Sequence, residues 1–294
     1  MSVAVFIGVD WGTTNLRAWQ IDADGVALEG RISDDGMGGL TPDDFGPALD
    51  RLIAGWPALP VLACGMVGAR QGWVEAPYVA SPASAEALAA ALIPAPDRPD
   101  TRIVPGVALR DPSGGLVDVM RGEETQAIGV AEAGPSLLLC PGTHGKWIET
   151  GGGRVGDFQT FMTGELNALL GRQSVLRHSV AGEAAPDGIF VGAVREMLDG
   201  ASLTAALFSV RVGTLDGRLD GAGAASRLSG LVIGAEVAAG LARFGRRAVT
   251  IIGDERLNAF YAAALDVAGY TDIRTVNGAG AVCRGLARIW RHRP

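Results

Sequence analysis

Near its start, the sequence contains an apolar strand, a short glycine loop and a second extended run, and this pattern strongly restricts the fold. Residues 3–9 are apolar and lead to Asp10, the loop occupies residues 12–15, and residues 16–21 are again typical of a strand. A turn signal at residues 22–25 then leads into further strand-forming residues. The pattern predicts a three-stranded antiparallel meander.

The loop of this meander carries groups that can bind a ligand. Neither a Walker loop nor a Rossmann fingerprint is present in this stretch, and each of those motifs would need a helix after its glycines. Asp10 instead lies at a strand end beside backbone N–H groups and the hydroxyls of Thr13 and Thr14. Such a loop suits Mg²⁺ and the terminal phosphates of a nucleotide. The alternative is an ordinary hairpin without a ligand.

A second copy of this unit follows about 130 residues later. The apolar run at residues 136–140 leads into Pro141-Gly-Thr-His-Gly-Lys146, and three glycines at residues 151–153 mark a hairpin before the next strand. Two copies of strand, Gly-Thr loop and strand predict a two-lobed α/β protein whose phosphate loops face each other across a cleft. Thr163, shortly afterwards, is expected to cap the N-terminus of a helix.

Composition limits the classes of partner and compartment. The 294 residues are 48% hydrophobic and 19% charged, which predicts a folded chain of one large or two medium domains. The net charge of −7 and the lack of a long basic run argue against nucleic acid as a partner. The three cysteines are widely spaced and suggest buried thiols in a reducing compartment. We therefore expect a cytoplasmic protein with no membrane partner.

Three further segments carry candidate ligand groups. Arg70, Gln71 and Trp73 follow an apolar strand at residues 60–66, where α/β proteins often bind ligands, although a solvated turn with one packing tryptophan is the alternative. Glu123 and Glu124 begin a helix after Gly122 and are either a general base or acids favoured by the helix dipole. A strand, Gly253-Asp254 and a helix form a unit that can stack an adenine but is also common in α/β proteins.

Six motifs occur in an order that resembles the 2-keto-3-deoxygalactonokinase (2-dehydro-3-deoxygalactonate kinase) family of the sugar kinase, heat-shock protein 70 and actin superfamily. They are DWGTTNLRAW, CGMVGARQGWVEAPY, DVMRGEETQAIG, LLLCPGTHGKWI, FQTFMTGEL and GDERLNAFYAAAL. The resemblance spans residues 5–290. It implies an α/β protein of two RNase H-like lobes, the actin-like ATPase fold, with a nucleotide cleft between them. It also implies transfer of the ATP γ-phosphate to the 6-hydroxyl of 2-dehydro-3-deoxy-D-galactonate.

The same resemblance implies which lobe carries each binding site. Residues 1–130 would carry the first phosphate loop and the sugar-acid site. Residues 131–294 would carry the second phosphate loop and the adenosine site, with the last helix packing back toward the cleft. The residues expected to contact ATP are Gly12, Thr13, Thr14, Asn15, Gly142, Thr143, His144, Lys146, Gly253 and Asp254.

The remaining roles follow from the resemblance and from the chemistry of phosphoryl transfer. Asp10 is expected to hold Mg²⁺, and Glu124 is the first candidate for the general base, followed by Glu123 and then Asp157. The sugar acid would contact Arg70, Gln71, Trp73 and Arg121, with Arg70 as the first candidate for its carboxylate and Arg121 as the second.

Two other functions are compatible with the sequence. One is a phosphatase or exopolyphosphatase of the same fold, in which a glutamate activates water. The other is a non-catalytic nucleotide-binding module. The residues do not separate galactonate from gluconate stereochemistry, and the alanine-rich helices would tolerate a homodimer interface.

Overall fold

The computed structural model describes residues 2–293, which form two compact units. Unit 1 contains residues 2–136, Ile148–Gln159 and 277–293, and unit 2 contains Leu137–Trp147 and Thr160–Val276. The division is not a single cut of the chain, because two later segments, including the last helix, belong to unit 1.

The first half of the chain is rich in strands. Its strands are β1 (Ala4–Trp11), β2 (Leu16–Asp22), β3 (Ala27–Ser33), β4 (Val61–Gly65), β5 (Tyr78–Ala80), β6 (Ala83–Ser84), β7 (Ile93–Ala95), β8 (Arg98–Ile103), β9 (Gly106–Arg110) and β10 (Leu116–Met120). Its helices are α1 (Phe45–Leu52), α2 (Ala85–Ala90) and α3 (Glu123–Val130).

The second half is rich in helices. Its strands are β11 (Ser136–Cys140), β12 (Gly145–Gly151), β13 (Arg154–Phe161), β14 (Val249–Gly253) and β15 (Ile273–Asn277). Its helices are α4 (Thr163–Gln173), α5 (Gly188–Leu198), α6 (Leu203–Leu215), α7 (Gly221–Phe244), α8 (Glu255–Val267) and α9 (Gly278–Arg291).

The N-terminal meander is confirmed. Strands β1, β2 and β3 are antiparallel neighbours, and Asp10 on β1 is paired with Arg17 on β2. The turn between β2 and β3 is closed by the Asp22 carboxylate, whose Oδ1 accepts hydrogen bonds from the backbone N–H groups of Asp24 at 3.0 Å and Val26 at 2.9 Å. Local hydrogen bonds of this kind are the reason that an Asp-x-x-Gly sequence forms a turn.

The two large sheets repeat one strand order. The first has the order β3-β2-β1-β4-β8-β7, with β4 parallel to β1 and β8 parallel to β4. The second has the order β15-β14-β11-β12-β13-β6, so its own hairpin strands β13, β12 and β11 are followed by β14 and β15 in the same way. The repeated strand, loop and strand unit predicted from the sequence is therefore present twice.

One predicted strand is wrong in its bounds. The sequence at residues 102–107 predicts a single strand, but the chain forms β8 and then β9, which belongs to a separate three-stranded sheet with β5 and β10. Pro105 lies between them, and proline cannot donate to a strand ladder. Beside this proline the chain leaves one sheet and enters the other.

Each unit has its own apolar core. In unit 1, the rings of Trp11, Phe45 and Trp73 pack together, with the Phe45 and Trp73 rings stacked at 6.0 Å. In unit 2, α7 lies in the core, and its Gly230 and Gly234 allow the backbone of α5 to approach closely. Helix α7 is long and apolar enough to cross a membrane by composition alone, but 72% of its most apolar window is buried inside the protein.

Candidate active site

Asp10 lies at the end of β1, in a tightly packed position beside β4. Its carboxylate Oδ2 accepts a hydrogen bond from Arg17 Nη1 at 3.4 Å, and its side chain is 19% exposed. A Cβ on Gly65 would lie 2.6 Å from Trp11 O and 3.3 Å from Asp10 Oδ1, so the position next to the carboxylate requires glycine. Burial raises the pKa of Asp10, and the Arg17 guanidinium acts against this.

The first predicted phosphate loop contacts the backbone of residues 36–38, and the sequence analysis did not predict this contact. The N–H of Gly38 donates to Thr13 O at 2.9 Å, and a Cβ on Gly36 would lie 2.2 Å from the carbonyl carbon of Thr14. The threonine residues of the loop are exposed. The loop at residues 12–15 is therefore fixed through its backbone while its hydroxyls remain accessible. The glycine run at residues 36–39 was the available sequence signal.

Asn15 has a structural partner at this loop. Its Nδ2 donates to Asp34 Oδ1 at 3.3 Å, and the N–H of Gly12 donates to Asn15 O at 2.9 Å. The asparagine therefore closes the loop, whatever further contact it makes.

Glu124 is enclosed within unit 1 at the start of α3. Its side chain is 0% exposed, its Oε2 accepts from the N–H of Gly122 at 2.6 Å, and its Oε1 accepts from the Thr125 hydroxyl at 2.9 Å. Burial raises the pKa of Glu124 to about 7, and the charge of Glu123 contributes in the same direction. Glu123 is only half-buried.

Helix α3 is held by the last helix through direct backbone contact. A Cβ on Gly285 of α9 would lie 1.9 Å from Thr125 O, and one on Gly129 of α3 would lie 2.0 Å from Ala281 O. Arg288 Nη1 donates to Ala131 O, just after the end of α3, at 2.8 Å. The acidic end of α3 is thus positioned by residues that lie about 150 positions later in the sequence.

Arg121 is the guanidinium closest in sequence to these acids, and part of it lacks a partner. Its Nη2 donates to Ala76 O at 2.8 Å, and its guanidinium carbon lies 4.4 Å from the centre of the Tyr78 ring. Its Nε and Nη1 are buried, and among residues 2–293 they have no hydrogen-bond acceptor. Unsatisfied buried donors are unfavourable, so these two N–H groups are suited to an added acceptor.

The other predicted sugar-acid residues lie in less suitable environments. Arg70 is 79% exposed on its side chain and forms an ion pair with Glu75 at 3.3 Å. Gln71 is exposed. Trp73 is 5% exposed and packs in the aromatic core with Trp11, which leaves little of either ring for a sugar.

The second predicted phosphate loop lies in unit 2. Thr143 and His144 are exposed, and His144 Nε2 is 2.5 Å from Glu165 Oε2. Lys146 is buried, and its Nζ donates to His144 O at 2.8 Å. This hydrogen bond ties the Lys146 side chain to the backbone of the loop.

Thr163 starts the helix that packs on this loop. The expectation that it caps α4 is wrong, because Met162 holds the cap position and Thr163 is the first helical residue. Its side chain is hydrogen-bonded to Glu236 and is not available as a cap.

The predicted adenosine segment follows β14. Asp254 caps α8, with Oδ1 accepting from the N–H of Leu257 at 2.9 Å. Sequence reasoning missed Asn258, whose buried Oδ1 has no donor among the described residues. A Cβ on Gly253 would lie 2.8 Å from this oxygen, so the free acceptor lies directly beside the predicted nucleotide glycine.

Asp157 and the candidate metal ligands complete the predicted site residues. Asp157 lies within β13, where its Oδ1 accepts from the N–H of Phe158 at 2.9 Å. Within residues 2–293, no group of three or more His, Cys, Asp and Glu side chains could hold a metal ion by itself. A metal ion at Asp10 would therefore need water or substrate among its ligands.

The comparisons with known proteins identify the family. A family model described as 2-keto-3-deoxy-galactonokinase matches residues 10–289. The chain belongs to this family. Membership makes the chain a kinase of carbohydrate metabolism, for which ATP is the phosphoryl donor.

Two curated relatives support the assignment along the full length. The "Probable 2-dehydro-3-deoxygalactonokinase DgoK1" of Rhizobium meliloti (strain 1021) is 42% identical over 97% of this chain and 96% of its own. The 2-dehydro-3-deoxygalactonokinase of Escherichia coli (strain K12) is 35% identical over 97% of each chain. The resemblance drawn from the six motifs is confirmed.

Solved structures agree with the fold of this family member. The crystal structure of a proposed 2-dehydro-3-deoxygalactonokinase from Sinorhizobium meliloti has 40% identity and a TM-score of 0.89, covering 97% of this chain and 98% of that one. A dehydratase activator from Clostridium difficile, with 13% identity, has a TM-score of 0.54 over 98% of this chain and 95% of its own, which indicates a shared fold. The predicted actin-like ATPase fold class is confirmed.

Proposed function

We propose that this kinase transfers the γ-phosphate of ATP to the 6-hydroxyl of 2-dehydro-3-deoxy-D-galactonate. The names of its relatives suggest this acceptor. The observation that carries the proposal is Arg121, which offers two buried donors without acceptors in the described part of the chain. A sugar acid differs from a neutral sugar by its carboxylate, which is the group that a guanidinium binds best.

Arg121 is preferred to Arg70 as the partner of that carboxylate. The Arg121 guanidinium is held by the Ala76 carbonyl and by the Tyr78 ring, so little side-chain freedom is lost on binding. Arg70 is exposed and has Glu75 as a competing partner, and an exposed ion pair of this kind is weak. The second candidate of the sequence analysis thus becomes the first.

Asp10 is the proposed Mg²⁺ residue. Mg²⁺ commonly binds one or two carboxylates together with water and substrate phosphates, and the partly exposed Asp10 carboxylate fits this pattern. When bound, the ion would neutralise charge on the transferring phosphate. Thr13 and Thr14 supply exposed hydroxyls for the same phosphate.

Glu123 is the better-placed general base of the two neighbouring glutamates. A base must come within hydrogen-bond reach of the hydroxyl whose proton it takes. Both oxygens of Glu124 already accept hydrogen bonds, from the N–H of Gly122 and the hydroxyl of Thr125. Glu123 is half-buried, and its Oε2 accepts from the N–H of Arg121 at 3.2 Å. We therefore infer that Glu123 takes the proton and that Glu124 holds the Gly122 turn in place. Asp157 is the third candidate.

The nucleotide contacts are proposed for unit 2. The phosphate contacts proposed here are Gly142, Thr143 and His144, of which Thr143 and His144 are exposed. The Lys146 ammonium donates to His144 O and holds the backbone of this loop. The Asn258 oxygen beside Gly253 offers an acceptor to the nucleotide. A cytoplasmic location and a homodimer stay predictions.

The test is an assay of ADP release with Mg-ATP and a panel of acceptors. The panel holds 2-keto-3-deoxygalactonate, 2-keto-3-deoxygluconate, galactose, glycerol and no acceptor. We expect release with the galactonate derivative alone. ADP release without an acceptor would favour the phosphatase alternative. Equal release with both sugar acids would contradict the assignment of the galactonate stereochemistry. No ADP release with any acceptor would favour a nucleotide-binding module.

Arg121→Lys tests the carboxylate contact directly, because lysine keeps the charge but loses the paired donors. The expected result is a KM for the sugar acid raised by roughly 10- to 100-fold, with the KM for ATP unchanged. Arg70→Lys is the matched control and should leave both values near those of the wild type. A larger effect of Arg70→Lys would reverse our ranking of the two arginines.

A further inference from the structure

Glu236 is a buried carboxylate in unit 2 that no role described above uses. It lies on α7 and is 2% exposed. Its Oε1 accepts from Trp147 Nε1 at 2.9 Å, and its Oε2 accepts from the Tyr261 hydroxyl at 2.6 Å. The Thr163 side chain is a third hydrogen-bond partner. These three partners come from β12, α8 and α4, so a single carboxylate joins four elements.

The Thr163 contact leads directly to the second phosphate loop. Thr163 is followed by Gly164, whose added Cβ would lie 2.3 Å from Gly142 O, and the N–H of Glu165 donates to Thr143 O at 3.0 Å. The first turn of α4 therefore packs against the backbone of the loop. Any shift of this turn would move Gly142 and Thr143 with it.

The Trp147 contact fixes the other side of the same loop. Trp147 lies on β12, which begins at Gly145 and continues directly from the loop. A Cβ on Gly145 would lie 3.2 Å from Glu236 Oε1, so the carboxylate also contacts the loop's last residue. Glu236 is thus anchored to both the start of α4 and the exit of the loop.

We propose that Glu236 is a positioning residue that sets the geometry of the loop at residues 142–145 for the phosphates of ATP. This inference rests on the nucleotide role proposed for that loop. The carboxylate acts through Thr163 and Trp147 and does not touch the substrate itself.

A carboxylate offers two acceptor oxygens here, one to Trp147 Nε1 and one to the Tyr261 hydroxyl. A glutamine has the same shape but only one acceptor oxygen, and its NH₂ group is a donor. The indole of Trp147 is a donor only, so it would take that oxygen, leaving the amide NH₂ toward the hydroxyls of Tyr261 and Thr163. Burial raises the pKa of Glu236, and the hydrogen bonds from Thr163, Tyr261 and Trp147 oppose that rise.

The experiment measures steady-state kinetics of Glu236→Gln with Mg-ATP and the sugar acid. We expect the KM for ATP to rise roughly tenfold, with the KM for the sugar acid within about twofold of the wild type. Tyr261→Phe, which removes one donor and keeps the ring, should show the same split in weaker form. It also serves as the test variant if Glu236→Gln does not fold.

Two further variants make the result decisive. Val210→Ala removes core volume from α6, far along the chain from the loop, and should lower thermal stability without changing the KM for ATP. Thr143→Ala tests the loop itself. If Thr143→Ala raises the KM for ATP and Glu236→Gln does not, the positioning role is refuted and the proposed function stands. If neither variant changes it, the nucleotide role of the loop fails as well.

Discussion

Glu124 should make the stability of the protein depend on pH in a defined way. The carboxyl is fully buried at the start of α3, and its pKa in the folded protein is raised from 4.5 to about 7. The folded protein therefore binds this proton more tightly than the unfolded chain does. Its contribution to stability is complete below pH 4.5 and is lost as the pH rises through 7.

The size of this effect follows from the shift. Each pKa unit corresponds to about 1.4 kcal/mol, so a shift from 4.5 to about 7 changes the free energy of unfolding by about 3 kcal/mol over the full range. Between about pH 5.5 and about pH 8 the change is about 2 kcal/mol. Glu124→Gln cannot ionise and should lack this decrease. The variant should therefore gain stability relative to the wild type as the pH rises.

Urea unfolding at these two pH values, for wild type and Glu124→Gln, measures the difference. Glu123→Gln is the informative companion, because the charge of Glu123 contributes to the raised pKa of Glu124. Its removal should move the pH-dependent decrease to lower pH. Parallel stability curves for the wild type and Glu124→Gln would refute the reasoning, since they would show that the carboxyl titrates alike in the folded and unfolded chains.

Three further results are expected. Asp10→Asn should abolish turnover while circular dichroism stays that of the wild type, and near-normal activity would remove Asp10 from the metal site. Glu123→Gln should lower kcat by roughly 10²- to 10⁴-fold with little change in KM, and a larger loss in Glu124→Gln would reassign the base. Gly285→Ala should destabilise the protein by about 3 kcal/mol or more in urea unfolding, because its Cβ would lie 1.9 Å from a backbone oxygen of α3. Gly280→Ala on the same helix is the control and should change stability by about 1 kcal/mol at most.

Much of the fold was predictable because its signals are local. The first meander could be read from an apolar run, a glycine loop and an Asp-x-x-Gly turn, since each depends on neighbouring residues. The repeat of this unit at residues 136–161 is visible for the same reason. The sequence does not predict the break between β8 and β9, because strand-forming residues lie on both sides of Pro105 and the change of sheet is a tertiary feature.

The candidate site was less predictable, because accessibility depends on residues far apart in the chain. The sequence predicts a general base in the RGEET segment and ranks Glu124 before Glu123. Burial and the bond from the Thr125 hydroxyl distinguish Glu124, since both glutamates accept a backbone N–H bond from the turn. Trp73 was predicted to contact sugar, yet its ring lies in the core against Phe45.

The motifs of the chain were enough to predict its family and its repeated strand and loop units. They also showed which types of side chain are available for phosphoryl transfer. Tertiary structure alone decided which polar groups remain available to a ligand. The sequence ranks Arg70 above Arg121, but Arg121 has two buried donors without acceptors among residues 2–293, and Arg70 is part of an exposed ion pair. Glu236 has no motif at all, and its role arises because α7 brings it beneath a loop that lies about 90 residues earlier. Hydrogen-bond satisfaction is a property of the folded neighbourhood, and local sequence patterns do not encode it.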